Sequence, residues 1–233
     1  MHRVLLAAVM PLAACSMGAD AAGGPASRAF PVAGFNGIDL EGSAEVDVRT
    51  GAGFSVRAEG DQAAIDRLEI TRVGPMLKID QRRAGLSGWK RTRAPKIFVT
   101  MPRLARVDIG GAGSIRIDRV EGGALAASIG GSGSLTVDAL RVDTARVSID
   151  GSGSVAATGS AGMLDLGLGG SGEIRMGKVR AKRARVDLAG SGAIRAGIDG
   201  PAQVSLSGSG MIDLGPAARC QTRKTGSGSV RCG

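Results

Sequence analysis

The chain has 233 residues, among them 39 Gly, eight Pro, four Phe and one Trp, with no Tyr. Lys and Arg total 30 against 21 Asp and Glu, a formal charge of +9. The one histidine is His2, so loss of the N-terminus removes all imidazole and excludes histidine bases, triads and metal sites. Apolar residues at 43% suffice for a core, but aromatics at 2% force that core to be aliphatic, as in thin stacked repeats. So few aromatics also leave little for stacking nucleobases.

The N-terminus reads as an export signal. A short basic head, Met1-His2-Arg3, precedes an apolar run from Val4 to Ala14. That run is too short for a membrane-spanning helix, which needs ~20 residues, and fits the apolar core of a secretory signal. Leu12-Ala13-Ala14-Cys15 resembles a bacterial lipobox, which implies acylation of Cys15 and a signal peptide over residues 1–14. Ser16, rather than Asp, follows the cysteine, which resembles the outer-membrane default of Gram-negative lipoproteins. An ordinary signal cut after Ala19-Asp20-Ala21 is the alternative. Residues 15–29 are then a small-residue tether, and 30–233 a single domain.

The first stretch of that domain, residues 30–103, is irregular. Ile38, Leu40, Gly42, Ala44, Val46 and Val48 share one parity around Glu41-Gly42-Ser43. Strands are predicted at Phe54 to Ala58, Met76 to Asp80 and Lys96 to Met101. Terminal units of solenoids are atypical because they must cover a sheet edge. Phe30, Phe35, Phe54 and Phe98 are expected to supply the core of such a cap. Between the last two predicted strands lie Arg82, Arg83, Lys90, Arg91, Arg93 and Lys96, with Trp89 among them and no acid. This reads as a basic hairpin loop. It suits contact with an anionic membrane surface or lipopolysaccharide, the indole resting at the interface; a solvated loop with no ligand is the plain alternative.

From residue 104 the sequence repeats. Gly-x-Gly units begin at Gly111, Gly131, Gly151, Gly170, Gly190, Gly208 and Gly226, in steps of 18 to 20. Around each the same alternation recurs, as in Val107, Ile109, Gly111, Gly113, Ile115 and Ile117. Period-2 alternation means strands with one face buried. Glycine at inward positions means that the chain bends or that backbones approach closely. Each Gly-Ser-Gly is therefore a corner between strands, and Val120, Leu140 and Val179 mark a short third side. The pattern predicts an all-β fold, a right-handed parallel β-helix (solenoid) with coils of 18–20 residues and a less regular N-terminal cap. Seven coils at ~4.8 Å predict a rod of about 30 Å.

The outward rows are equally regular. Ser132, Ser152, Ser171, Ser191, Ser209 and Ser227 form one, headed by Ala112. They read either as a flat binding face or as small residues tolerated at a tight corner, and the corner reading is preferred. Cys220 and Cys232 remain once Cys15 is assigned. In an oxidising compartment they pair, worth about 3 kcal/mol in the chain-entropy picture; two free thiols, or a metal pair lacking other ligands, are the alternatives.

The succession Phe35-Asn36-Gly37-Ile38-Asp39-Leu40, Val46-Asp47-Val48, Leu77-Lys78-Ile79 and Ile97-Phe98-Val99-Thr100-Met101-Pro102, followed by Leu104 and the Gly-Ser-Gly strands, resembles the head GIN domain family. The resemblance covers about residues 30 to 232. It implies an exported β-helical protein, often a lipoprotein, with no established enzymatic activity and no catalytic residue to carry over.

Catalytic motifs fail on context. Ser87-Gly88-Trp89-Lys90 and Lys224-Thr225-Gly226 match elements of serine β-lactamases, but the serine lies in a Gly-rich basic stretch and Gly226 is a repeat corner. No metal set, phosphate loop or cofactor signature is present. Asp108, Asp150 and Asp187 fall in different rows or distant coils and make no acid pair. The reading is a non-catalytic envelope binding, scaffolding or adhesion protein, held to a membrane by its lipid. Envelope glycan or lipopolysaccharide is its expected partner, and nucleic acid is not. A polysaccharide-active lyase or hydrolase is the alternative.

Overall fold

The computed structural model describes residues 25–82 and 94–233. It winds as a β-solenoid of about six turns. The N-terminal part comprises β1 (Pro25–Phe30), β2 (Gly37–Leu40), β3 (Glu45–Thr50), β4 (Ser55–Asp61), the single-turn α1 (Gln62–Ile65), β5 (Leu68–Val73), β6 (Met76–Gln81) and β7 (Lys96–Met101). The regular array follows as β8 (Arg106–Ile109), β9 (Ser114–Ile129), β10 (Ser134–Gly151), β11 (Ser154–Gly170) and β12 (Glu173–Gly190). It ends with β13 (Ala193–Ile198), β14 (Pro201–Gly208), β15 (Met211–Asp213), β16 (Arg219–Thr225) and β17 (Ser229–Arg231).

Each coil lies parallel to the next with its repeat positions in register. Ile115 stacks on Leu135, Leu135 on Val155, Val155 on Ile174, and Ile174 on Ile194. All five are essentially inaccessible to solvent. Removing such side chains from water contributes ~1.5–3 kcal/mol each, so an aliphatic interior without aromatics is enough. Val120, Leu140 and Val179 are buried as the third side requires. No polar or charged side chain is buried among the described residues.

The Gly-Ser-Gly corners do not interrupt the ladder. Ser132 N donates to Gly111 O at 3.1 Å and Ser134 N to Gly113 O at 3.0 Å, and the same pair of bonds recurs in the next coil. The corner glycines are required because each packs against the carbonyl of its counterpart one coil earlier. A Cβ on Gly131 would lie 2.6 Å from Gly111 O, inside any tolerable contact.

The steps of 18 arise at the third side. Between β12 and β13 the register jumps from Met176↔Ala196 to Arg180↔Gly197, dropping residues from the bend and none from the flat strands. The turn count is about six where the sequence predicts seven.

The N-terminal part departs most from expectation. β2 is sandwiched between β6 and β8, with Ile38 opposite Leu77 on one side and Val107 on the other. β3 likewise lies between β7 and β9. The chain therefore builds its first coil, leaves it, and lays β6 and β7 beneath it as an outer coil. Antiparallel strands then cover this end, β5 on β6, β4 on β7 and β1 on β4. β1 begins at Pro25, inside the stretch assigned to the tether.

Two expectations for this region are corrected. β6 and β7 do not pair with each other, so the basic stretch between them is not the loop of a hairpin. Strand β6 instead pairs with β2 and strand β7 with β3, each in parallel register. Phe98 is not in the core. Ile97, Val99 and Met101 take the inward positions of β7, which turns Phe98 outward beneath the cations of Arg57 and Lys96. Phe35 is buried and meets Phe54 edge to face at 5.0 Å, while Phe54 is largely exposed and Phe30 packs at the core's margin.

Candidate binding surfaces

Because strands on a solenoid present every second residue outward, the polar and charged side chains of this chain lie on its flat faces. Each outward column runs through successive coils at the strand spacing of ~4.8 Å. Cations and acids pair along and across those columns. Arg106 binds Asp108 at 2.7 Å and Arg185 binds Asp187 at 3.0 Å, each two residues along one strand. Arg116 reaches Asp138 of the next coil through two nitrogens, and Arg146 reaches Asp165 at 2.9 Å. Exposed pairs of this kind contribute roughly 0–1 kcal/mol each. Their main effect is to cancel much of the spread-out positive charge, which leaves the remaining cations as local foci.

Of the basic stretch, Arg83, Trp89, Lys90, Arg91 and Arg93 lie outside the described residues. So does Cys15. The two described members are engaged at the base of the stretch. Arg82 pairs with Glu69 at 3.2 Å and donates to Asp66 O at 3.0 Å. Lys96 pairs with Asp47 at 2.9 Å, and the hydrogen bond to that carboxylate raises its pKa. Arg82 is thereby tied to the covering strand β5 and the turn before it, and Lys96 to β3 of the first coil.

The serine column is exposed at every corner. A hydroxyl–hydroxyl contact joins Ser209 and Ser227 at 3.1 Å. The corner bonds are made by serine backbone nitrogens, so the hydroxyls are not needed to hold the corner.

One juxtaposition was missed by sequence reasoning. Asp39 of β2 lies directly beside Asp108 of β8, with Lys78 of β6 on its other side. Partial burial is the largest influence on Asp39 and raises its pKa, Lys78 opposes this, and Asp108 and Asp80 add to it. Aligning Ile38, Leu40 and Gly42 with Val107, Ile109 and Gly111 would have matched Asp39 to Asp108, but the intervening residues hid that these coils touch. The two carboxylates stand on an open face, Asp108 is occupied by Arg106, and the main surface cavities are lined by neither. Among the described residues no cluster of acids, cysteines or histidine suits a metal ion.

A second missed feature is the run Lys178, Arg180, Lys182, Arg183 and Arg185 on β12, which contains no acid. The signal that marks it in the sequence is that acid-free density of cations. Cys220 and Cys232 form a disulfide that closes the last coil.

Residues 34–216 match the family described as "Putative auto-transporter adhesin, head GIN domain". The chain belongs to that family. The head GIN fold is also found in solved structures. One is a putative adhesin from Bacteroides fragilis NCTC 9343, with a TM-score of 0.80 and 20% identity over 90% of this chain and 97% of that one. A putative lipid binding protein from Parabacteroides distasonis ATCC 8503 has a TM-score of 0.68 and 20% identity, covering 89% and 96%. A putative adhesin from the same strain gives 0.66 and 22%, covering 90% and 97%. At such identities the likeness is one of fold. No curated protein matches the sequence. Among the described residues no helix is long and apolar enough to cross a membrane.

Proposed function

We propose that this head GIN protein is exported, acylated on Cys15 and tethered to the outer membrane of a Gram-negative cell, where its solenoid binds an envelope component without chemical turnover. The observation that carries this reading is the division of the molecule into a dry aliphatic interior and charged, laddered outer faces. Recognition on such a molecule takes place on open sheet faces. The family description as an adhesin supports a binding role at the cell exterior. One structural neighbour is described as lipid binding; here the interior is filled by stacked side chains, so an acyl chain has no place within the coils. The stretch holding Arg83, Trp89, Lys90, Arg91 and Arg93 is assigned to contact with anionic headgroups or lipopolysaccharide.

Two measurements test this. Mass spectrometry of the mature protein is expected to show a lipid-modified Cys15 that the Cys15→Ala variant lacks; identical unmodified N-termini would remove the anchor. Titration with purified envelope glycans and lipopolysaccharide is expected to give saturable binding, and its absence throughout would remove the role.

The second reading, a polysaccharide-active enzyme, is favoured only by the neighbouring carboxylates of Asp39 and Asp108. It requires that the Asp39→Asn and Asp108→Asn variants abolish cleavage of a glycan that the wild type cleaves.

A further inference from the structure

The face formed by the final coils carries charge that the ion pairs do not cancel. On β12 the outward residues Arg183, Arg185 and Asp187 alternate with the buried Ala184 and Val186. Parallel register continues those three columns through two more coils. Arg183 is followed by Pro201 and then Arg219, Arg185 by Gln203 and Gln221, and Asp187 by Ser205 and Arg223. Four guanidinium groups thus meet one carboxylate, and that carboxylate is held by Arg185 at 3.0 Å. Arg183, Arg219 and Arg223 have no acidic partner among the described residues. Two adjoining surface cavities, of about 680 Å³ and 420 Å³, share Arg185, Gln203 and Gln221, so the columns line one continuous trough.

Resting on the envelope-binding reading above, we propose that this trough is the binding site of an acidic polysaccharide, a sugar chain carrying carboxylate or sulfate groups. Arg183 and Arg219 flank the uncharged Pro201 two strands apart, about 10 Å by strand spacing. They can grip an anionic group seated over the proline from both sides, and guanidinium suits planar bidentate binding of such groups. Gln203 and Gln221 offer amide donors and acceptors to sugar hydroxyls. Met163 and Pro201 provide an apolar margin for the faces of the rings. The lining contains no aromatic side chain, which disfavours stacked bases and an interfacial membrane anchor. The trough also lies on the coils farthest from the antiparallel strands that cover the N-terminal end, so an N-terminal tether leaves it accessible.

The test compares the full mature chain with an Arg183→Gln, Arg219→Gln, Arg223→Gln triple variant and with a Gln203→Ala, Gln221→Ala double variant. Binding to polygalacturonate and dextran sulfate is measured over a range of salt, with neutral dextran and anionic phospholipid vesicles as controls. All substituted residues are solvent-facing, and an unchanged thermal midpoint checks the fold. Wild type is expected to bind the acidic polymers and not dextran. The triple variant is expected to bind at least tenfold more weakly with a shallower salt dependence, and the double variant more weakly with the salt dependence kept. Wild-type affinity in the triple variant would overturn the trough while leaving envelope binding standing. Vesicle binding lost in the triple variant, without polysaccharide binding by wild type, would overturn the glycan in favour of a lipid surface. Absence of binding to every acidic polymer would overturn the trough as well, and only a blank against all envelope components would also remove the broader role.

Discussion

A Cβ added to Gly151 would lie 2.6 Å from the carbonyl oxygen of Gly131, one coil earlier. Gly151 also has φ +136°, a conformation that side chains avoid. From Gly151 to Gly226 the corner column is thus fixed twice over, by backbone contact between coils and by conformation. Gly151→Ala is expected to destabilise by about 3 kcal/mol through overpacking and backbone strain. Ser152→Ala in the same corner is expected to change stability by no more than about 0.5 kcal/mol, because its backbone nitrogen makes the bond to Gly131 O. Chemical denaturation of both variants checks the contrast, and comparable losses would contradict it.

The Cys220–Cys232 disulfide is expected to stabilise the last coil by about 3 kcal/mol. For a domain of this size, replacement of both cysteines by serine should lower Tm by roughly 6–12 °C. Hydrogen exchange should rise first in β16 and β17, and a loss spread evenly over the solenoid would argue against a local staple.

Asp39 supplies a pH signature. Its pKa in the folded protein is raised above the ordinary 3.8, chiefly by burial. The unfolded chain therefore ionises first as pH increases, and stability falls between the ordinary carboxylate pKa and the raised one. Asp39→Asn removes this loss. The variant is expected to have a higher Tm than wild type at pH 7, with the difference disappearing below about pH 3.8. A variant that is less stable at pH 7 would mean that Lys78 outweighs burial.

The open end of the solenoid carries its own protection. Lys224 occupies the inward column beneath Leu206, and its Nζ donates to Gly228 O at 2.9 Å. An inward-pointing cation on a terminal strand discourages pairing with another sheet edge. Lys224→Leu is expected to produce concentration-dependent self-association in sedimentation experiments. If that variant sediments as the wild type does at all concentrations, the charge is not what blocks stacking.

How far these features could be read beforehand depended on locality. The coils were legible because Ile115, Leu135 and Val155 recur with a fixed period, and a fixed period in parallel register needs no long-range information. The pairing of Cys220 with Cys232 rested on other grounds, the oxidising compartment an export signal implies and the two cysteines that remain once Cys15 is assigned. The exchange of coil order at the N-terminus was not legible. Strands β2 and β6 have the same alternation, and nothing in that alternation says which lies outside the other. Phe98 was misplaced because aromatic character was weighed above parity, although Ile97 and Val99 already fixed its direction. The Arg183–Arg219 trough was hidden in another way, since its cations are scattered in sequence and converge only when three coils are stacked.

The most direct measurement is a single experiment on the purified mature protein with acidic envelope polysaccharide, following bound polymer and polymer length together. Saturable binding with the polymer length unchanged is the predicted result. Shortening of the polymer, or failure to bind any envelope glycan or lipopolysaccharide, would contradict a non-catalytic binding role.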